Sequence, residues 1–175
     1  MLGVDVDWDA ATWTVHIGGQ PQVQPTPIPT PPVITQPRVS TPLSSTFYDS
    51  GGGTIIDLHT IQPQDSVAMG GTTYRNAVVF SQRHLDRPME MFSLHNLNRQ
   101  YRSLTGYIGR VDGSVMSNAT FRIYGDGRLL ETYNVNAQDL PKAISVFVED
   151  IRQLRIVAMF SSSGAVTYAV VGTLE

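Results

Sequence analysis

The chain has 175 residues, a net charge of −3 and only 15% charged residues, against about a quarter in an average globular domain. It has no cysteine, which excludes disulfides, thiolate metal sites and cysteine nucleophiles, and no block of basic residues that would follow the phosphates of a nucleic acid. No apolar run approaches the roughly 18–20 residues of a membrane span, and the first residues lack the basic and apolar regions of a signal peptide.

Residues 1–19 are predicted to form a β-hairpin. In GVDVDWDAATWTVHIG (3–18), apolar and polar residues alternate on both sides of a short turn, a pattern typical of paired strands. Both tryptophans of the chain, Trp8 and Trp13, lie in this segment. Because an isolated hairpin is marginally stable in water, we expect it to pack on another surface or to be the remnant of a larger domain.

Residues 20–45 are predicted to form a Pro-rich linker, since eight of the eleven prolines lie there. Proline fixes φ and removes an amide donor, so the segment favours polyproline II over a helix or a central strand. We interpret it as a semi-rigid spacer, and docking into an aromatic-lined groove is the alternative.

Residues 46–175 are predicted to form one all-β domain. Short apolar runs alternate there with clusters of Gly, Asn, Asp and Ser, and Gly51-Gly52-Gly53 is interpreted as a flexible turn before the first run. Ten runs at roughly 8–12-residue spacing indicate a sandwich or a barrel. The predicted strands are TIIDL (54–58), SVAM (66–69), NAVVF (76–80), MEMFSL (89–94), LTGYIGRV (104–111), ATFRIYG (119–125), RLLETYNV (128–135), AISVFVED (143–150), QLRIVAMF (153–160) and AVTYAVVGTL (165–174).

Two Asp-Gly pairs mark tight turns. Asp126-Gly127 joins two predicted strands in the clearest hairpin of the domain, because this dipeptide favours the positive φ of a two-residue turn. Asp112-Gly113 is interpreted in the same way. A structural calcium ion held by loop carboxylates and carbonyls is the alternative, but the sequence lacks a dense Asp/Asn loop, and no cofactor is predicted.

Residue patterns typical of enzymes are missing, so the chain is predicted to be non-enzymatic. No serine lies in a G-x-S-x-G elbow. A glycosidase needs two facing carboxylates, and the nearest candidates, Asp86/Glu90 and Glu149/Asp150, are interpreted as solvent-facing charges. No metal site is predicted either, because metal-binding spacing is absent among the four histidines, His16, His59, His84 and His95.

Three stretches match, in order and spacing, the pattern of a known family. They are Tyr107-Ile108-Gly109-Arg110-Val111-Asp112, Phe121-Arg122-Ile123-Tyr124-Gly125-Asp126-Gly127 and Leu154-Arg155-Ile156-Val157. With GGTTYRNAVVF (70–80), they make roughly residues 46–175 resemble the NPCBM family of carbohydrate-binding modules. The resemblance implies a galactose-binding-like fold, an all-β, two-sheet antiparallel jelly-roll β-sandwich.

The resemblance also implies a function. Members of the family bind sugars without cleaving them and are attached to glycoside hydrolases and cell-surface proteins. The expected partner is therefore a glycan or cell-wall polysaccharide, and the expected location is extracellular or at the cell surface. Two family elements are absent, a His-Ala pair where the chain has Val79-Phe80-Ser81 and a terminal Asp-x-x-Asp-Trp where it has SSGAVTYAVVG. The alternative is a structural or protein-interaction module that has lost sugar binding.

A second resemblance covers only the N-terminal hairpin. VDVDWDAATWTVHIG is similar to the closing hairpin of a stalk domain that resembles the N-terminal domain of copper amine oxidases. Stalk domains of this kind precede NPCBM modules in secreted surface proteins. The resemblance implies that the chain is a fragment of a longer exported polypeptide.

Sugar recognition requires an aromatic face for the C–H side of a pyranose and fixed polar groups for its hydroxyls. Tyr74 and Asn76 lie beside one predicted strand, Tyr101 leads into another, and Arg110 and Asp112 lie at the end of that second strand. If these strand ends meet on one rim, the five side chains form a shallow sugar site. The alternative is that the two tyrosines are half-buried rim residues.

Overall fold

The computed structural model describes residues 6–17, 40–52, 59–83, 90–161 and 164–175. The chain divides into two units, residues 1–36 and 37–175. Within the described ranges there is no α-helix, and no helix has the length and hydropathy of a membrane span. The prediction of an all-β chain is confirmed for these ranges.

The first unit contains a two-stranded antiparallel sheet of β1 (Val6–Asp9) and β2 (Thr14–Ile17), in which Trp8 is opposite Val15. The carboxylate of Asp9 accepts hydrogen bonds from the Ala11 amide at 2.9 Å and the Thr12 hydroxyl at 2.7 Å, which closes the turn. The Trp8 and Trp13 rings meet edge to face at 6.0 Å. Most of the predicted linker, residues 20–39, lies outside the described residues.

The second unit consists almost entirely of strands. They are β3 (Thr41–Pro42), β4 (Phe47–Gly52), β5 (His59–Met69), β6 (Thr72–Gln82), β7 (Glu90–Asn96), β8 (Ser103–Arg110), β9 (Ala119–Gly125), β10 (Arg128–Val135), β11 (Lys142–Phe147), β12 (Gln153–Phe160) and β13 (Val166–Leu174), with a 3₁₀ turn at Leu43–Thr46. The predicted strand TIIDL (54–58) lies outside the described residues.

These strands form two antiparallel sheets. The five-stranded sheet has the order β10-β9-β12-β7-β4, and the six-stranded sheet has the order β11-β8-β13-β6-β5 with β3 paired to β13. One main core lies between the sheets, where Phe121 of β9 contacts Phe80 of β6 and Tyr168 of β13. Strand alternation explains this core, because in strands such as β9 and β12 every second residue is apolar and faces the opposite sheet. The predicted two-sheet sandwich is confirmed.

The Asp126-Gly127 hairpin is confirmed, with both turn residues at positive φ, 48° and 84°. The carboxylate of Asp126 accepts hydrogen bonds from the backbone amides of Arg152 at 3.1 Å and Gln153 at 2.9 Å. These amides lower the pKa of Asp126. The side chain therefore links the β9–β10 turn to the start of β12.

The segment around Leu43 belongs to the sandwich, although the sequence placed residues 20–45 in the linker. Leu43 is fully buried in the main core, and β3 pairs with the last residues of β13. The many prolines of residues 20–45 predicted a linker. Pro42 nevertheless pairs with β13, because a proline is tolerated in a short pairing at the edge of a sheet. The sandwich therefore includes the described residues from 40 onward.

A buried histidine ties this segment to β7. The His95 side chain is fully buried, with Nδ1 3.1 Å from the Leu43 carbonyl and Nε2 2.9 Å from the Ser93 hydroxyl. A carbonyl can only accept, so Nδ1 carries the hydrogen and donates to Leu43, while Nε2 accepts from Ser93. Burial lowers the pKa of His95 from 6.5 to about 4, so the ring is neutral at pH 7.

The prediction of a flexible turn at Gly51-Gly52-Gly53 was wrong for its described part, since Gly51 and Gly52 are paired with β7. The Phe92 ring lies against Gly51, where an added Cβ would be 2.7 Å from the ring carbon Cζ. A glycine is needed there because the aromatic ring occupies the space of its missing side chain.

Strand β5 is much longer than the predicted SVAM segment and includes Pro63, which is opposite Val78 of β6. Proline argues against a central strand, but among the described strands β5 lies at the sheet edge, paired with β6. This edge position explains why the strand tolerates the proline and why the sequence did not reveal the full strand.

Candidate functional site

The distal half of the β5–β6 hairpin folds across the outer face of the six-stranded sheet. Pairing between β6 and β13 ends at Ala77 and Val171, next to Asn76, which has a φ of 57°. Beyond this irregular position, the hairpin turn reaches the end of β8, where the Asp112 amide donates to the Ala68 carbonyl at 2.9 Å.

A second hydrophobic cluster holds the hairpin in this position. It contains Val67 and Met69 from the hairpin and Ala77, Val79 and Ala169 from the sheet, with Tyr74, Val111 and Val171 packed around it. The neighbours of Ala169 in β13, Tyr168 and Val170, point into the main core. The second cluster therefore lies on the opposite face of the sheet from the main core.

Beside the hairpin, the outer face forms a groove of about 460 Å³, called here the tyrosine groove. Tyr74 from the hairpin and Tyr107 from β8 form one wall, with ring centroids 5.5 Å apart and ring planes inclined by 51°. Tyr107 is 43% exposed. The remaining lining residues are Thr105, Gly106, Ala143, Ile144, Val171, Gly172 and Thr173.

Polar groups lie close to these rings. Thr105 of β8 and Thr173 of β13 are opposite each other in the sheet and both line the groove. Among the described residues, no side-chain hydrogen bond engages either hydroxyl. Gly106 and Gly172 are opposite each other in the same two strands and contribute backbone atoms to the groove lining, since a Cβ on Gly172 would point toward Leu43 and Leu104 of the main core. The groove thus combines aromatic faces with available hydroxyls.

Of the five residues named from the sequence as candidate sugar contacts, the groove contains Tyr74. Asn76 lies two residues further along β6 and is exposed at the irregular position where the hairpin leaves the sheet. Tyr101 lies elsewhere, on the loop before β8, where it is half-buried against the main core. The structure therefore does not gather the five side chains into one pocket.

Arg110 and Asp112 make structural contacts. The Arg110 guanidinium donates to the Ala137 carbonyl at 3.0 Å and to the Ser114 carbonyl at 2.7 Å. The Asp112 carboxylate accepts from the amides of Gly70 at 2.8 Å and Gly71 at 2.9 Å. Both glycines have positive φ, so Asp112 caps the tight turn of the β5–β6 hairpin.

Three groove residues were not among the predicted sugar contacts: Tyr107, Thr105 and Thr173. The signal was present in LTGYIGRV, where Leu104 and Ile108 face the main core and the alternating positions Thr105 and Tyr107 face outward. Tyr107 is an exposed aromatic on such an outward position, and Tyr74 reaches it only because the hairpin folds back. That fold depends on distant contacts, which a single sequence does not display.

The carboxylates considered for catalysis do not face each other across a cleft in the described part of the chain. Glu149 forms an ion pair with Arg102 at 2.9 Å, and Glu90 lies 3.5 Å from Arg122. Asp86 lies outside the described residues. Within the described ranges, no three His, Asp or Glu side chains are grouped as metal ligands.

Comparison with known families confirms the resemblance seen in the sequence. Residues 88–170 match the family model of the NPCBM/NEW2 domain. No curated protein sequence shows significant similarity to the chain.

Solved structures with the same fold include carbohydrate-binding modules of the CBM51 type. One contains CBM51-2 and INT domains of Clostridium perfringens ZmpB with GlcNAc, at 15% identity and a TM-score of 0.54, covering 78% of this chain and 32% of that one. Another is CBM51 of C. perfringens GH95 with methyl-galactose, at 14% identity and a TM-score of 0.54, covering 78% of this chain and 100% of that one.

A third similar structure contains the tandem CBM51 modules of Sp3GH98, a family 98 glycoside hydrolase of Streptococcus pneumoniae. It has 9% identity and a TM-score of 0.56, covering 77% of this chain and 46% of that one. The present chain thus spans about a third of the ZmpB structure, at 32%. At these identities the similarity concerns the fold.

Proposed function

We propose that this chain, which carries an NPCBM/NEW2 domain at residues 88–170, is a non-catalytic carbohydrate-binding module whose sugar site is the tyrosine groove. The observation that supports this site most is the pairing of Tyr74 and Tyr107 beside the hydroxyls of Thr105 and Thr173. Solved modules of the same fold were determined with GlcNAc and with methyl-galactose.

The chemistry of the groove suits a sugar ring. One face of a pyranose carries mainly C–H groups, which pack on an aromatic ring, while its hydroxyls need donors and acceptors at fixed positions. Tyr107 is exposed and offers the ring, and the two threonines lie on rigid neighbouring strands. Because strand residues are already ordered before binding, little conformational entropy is lost when the sugar binds. This favours binding by a shallow site with few contacts.

Replacing Tyr107 by alanine is expected to weaken sugar binding about tenfold, because the stacking ring is lost. Tyr107→Phe keeps the ring and is expected to bind like the unsubstituted chain. Isothermal titration calorimetry with GlcNAc and methyl-galactose at millimolar concentration, preceded by a glycan array, measures both effects.

Tyr48→Ala provides the matched control, since Tyr48 is similarly exposed, at 49%, but lies on β4 in the other sheet. Equal weakening by the Tyr48 and Tyr107 substitutions would reject the groove as the site. Absence of binding to every sugar tested would reject the function and favour the structural or protein-interaction module.

We also propose that the module belongs to an exported protein of the cell surface or cell wall. The proposal is supported by the solved CBM51 modules, two of which come from glycoside hydrolases of bacteria. In the source organism, an antibody against the sandwich is expected to detect the protein in the cell-wall or culture fraction. Detection in the cytosolic fraction alone would contradict this location.

A further inference from the structure

The outer face of the six-stranded sheet has a second groove on the other side of the folded hairpin. It has a volume of about 320 Å³ and is called here the glutamine groove. Its polar lining comes from three neighbouring strands, β5, β6 and β13. These residues are Thr60, Gln62, Gln64, Ser81, Arg83 and Thr167.

The three residues from β5 alternate along the strand and all line the groove, as expected for one face of an extended chain. The Gln62 and Gln64 carboxamides offer both donors and acceptors, which hydroxyl-rich ligands require. Ser81 and Thr167 face each other across β6 and β13, with their hydroxyl oxygens 3.1 Å apart.

The floor of the groove is formed by the second hydrophobic cluster. Val67 and Val79 are nearly fully buried, at 7% and 5% exposure, and Val111 packs against the same cluster. Polar side chains therefore stand around an apolar base. This is the arrangement expected where the C–H face of a sugar lies below and its hydroxyls point to the rim.

The charge of the lining is positive. Arg83 is exposed at the end of β6, and none of the lining residues is acidic. Among the described residues, no carboxylate forms an ion pair with Arg83. A guanidinium next to carboxamides is suited to a carboxylate, because it can donate two parallel hydrogen bonds to the two carboxylate oxygens.

We propose that the glutamine groove is a second saccharide site, which binds a sugar carrying a carboxylate. Arg83 binds the carboxylate, and Gln62, Gln64 and Thr60 bind the neighbouring hydroxyls. This inference shares with the proposed function the assumption that the module binds saccharides, but it involves no residue of the tyrosine groove.

The test compares carboxylated with neutral ligands by isothermal titration calorimetry. Trigalacturonate and 3′-sialyllactose are two sources of the same chemistry, and the stronger binder identifies the source. Methyl-esterified trigalacturonate and lactose are the neutral counterparts. We expect a carboxylated ligand to bind at least tenfold more tightly than its neutral counterpart. Equal affinities, or no binding by either carboxylated ligand, would overturn the proposal.

Arg83→Gln is expected to weaken binding of the carboxylated ligand about tenfold and to leave its neutral counterpart unaffected. Arg75→Gln is the matched control, because Arg75 is an exposed arginine of β6, the strand that Arg83 directly follows, and does not line the groove. Equal effects of the two substitutions would show a non-specific charge effect and would overturn the site.

Tyr107→Ala separates this proposal from the function assigned to the first groove. We expect this variant to retain binding of the carboxylated ligand, since Tyr107 does not line the glutamine groove. Loss of that binding in Tyr107→Ala, with no loss in Arg83→Gln, would place the ligand in the tyrosine groove and overturn the second site.

Discussion

Replacing Phe121 by alanine is expected to lower the free energy of unfolding by about 3–5 kcal/mol. The side chain is fully buried in β9, and its ring centroid lies 5.6 Å from that of Phe80 and 5.8 Å from that of Tyr168. Phe80 and Tyr168 belong to the opposite sheet, so Phe121 fills space between the layers. Two hydrogen-bonded sheets cannot collapse fully around the resulting cavity, and the lost contacts add to the lost burial.

Urea denaturation measures this effect when the loss of β-structure is followed by far-ultraviolet circular dichroism. The matched control is Phe147→Ala, because Phe147 on β11 is 67% exposed, and its removal is expected to change stability by less than about 0.5 kcal/mol. A loss below about 1 kcal/mol for Phe121→Ala, or equal losses for the two variants, would contradict a core formed between the sheets.

The second large effect is a pH dependence caused by His95. Its pKa is about 4 in the folded chain, against 6.5 for the exposed group, because burial disfavours the charged ring. Between these values the unfolded chain binds a proton that the folded chain does not. The free energy of unfolding therefore contains the full contribution of neutral His95 above pH 6.5. This contribution, about 3 kcal/mol, is lost as the pH decreases from 6.5 toward 4.

Urea titrations between pH 4 and pH 7.5 on the unsubstituted chain and on His95→Gln isolate this contribution, because other titrating groups affect both chains alike. Glutamine does not titrate, so the variant is expected to show a flatter profile in this range. Parallel profiles for the two chains would mean that His95 can be charged in the folded state, against its full burial.

Local patterns in the sequence predict most strands of the sandwich because each strand alternates between a core-facing and an outward-facing side. In β9, Phe121 and Ile123 are buried and Arg122 between them is half-buried, as the alternation of ATFRIYG indicates. The Asp126-Gly127 turn is equally local, since two adjacent residues determine its conformation.

Where long-range contacts decide the structure, the sequence is misleading. Gly51 is part of a strand because it pairs with Phe92 of β7, whose ring also takes the place of the missing side chain. Leu43 follows a proline-rich stretch, yet it is buried between strands that come much later in the chain. In both cases the decisive neighbour lies more than 40 residues away or in another strand, and neither composition nor periodicity reveals it.

The candidate site shows the same division. Arg110 and Asp112 were named because charged side chains at strand ends are suited to binding hydroxyls, but they bind backbone groups of Ala137, Ser114, Gly70 and Gly71. Tyr74 was named for its chemistry and does line a groove. Its ring partner could be identified only after the hairpin was seen to fold over the sheet.

Pro63 has a consequence for how copies of this module behave at high concentration. Strand β5 forms one side of the six-stranded sheet, and proline is accommodated in such a strand where its missing amide hydrogen would point away from the neighbouring strand. A second molecule approaching this side to extend the sheet meets a position that cannot donate. The proline therefore acts against intermolecular sheet growth, which protects an exposed β-rich surface from aggregation.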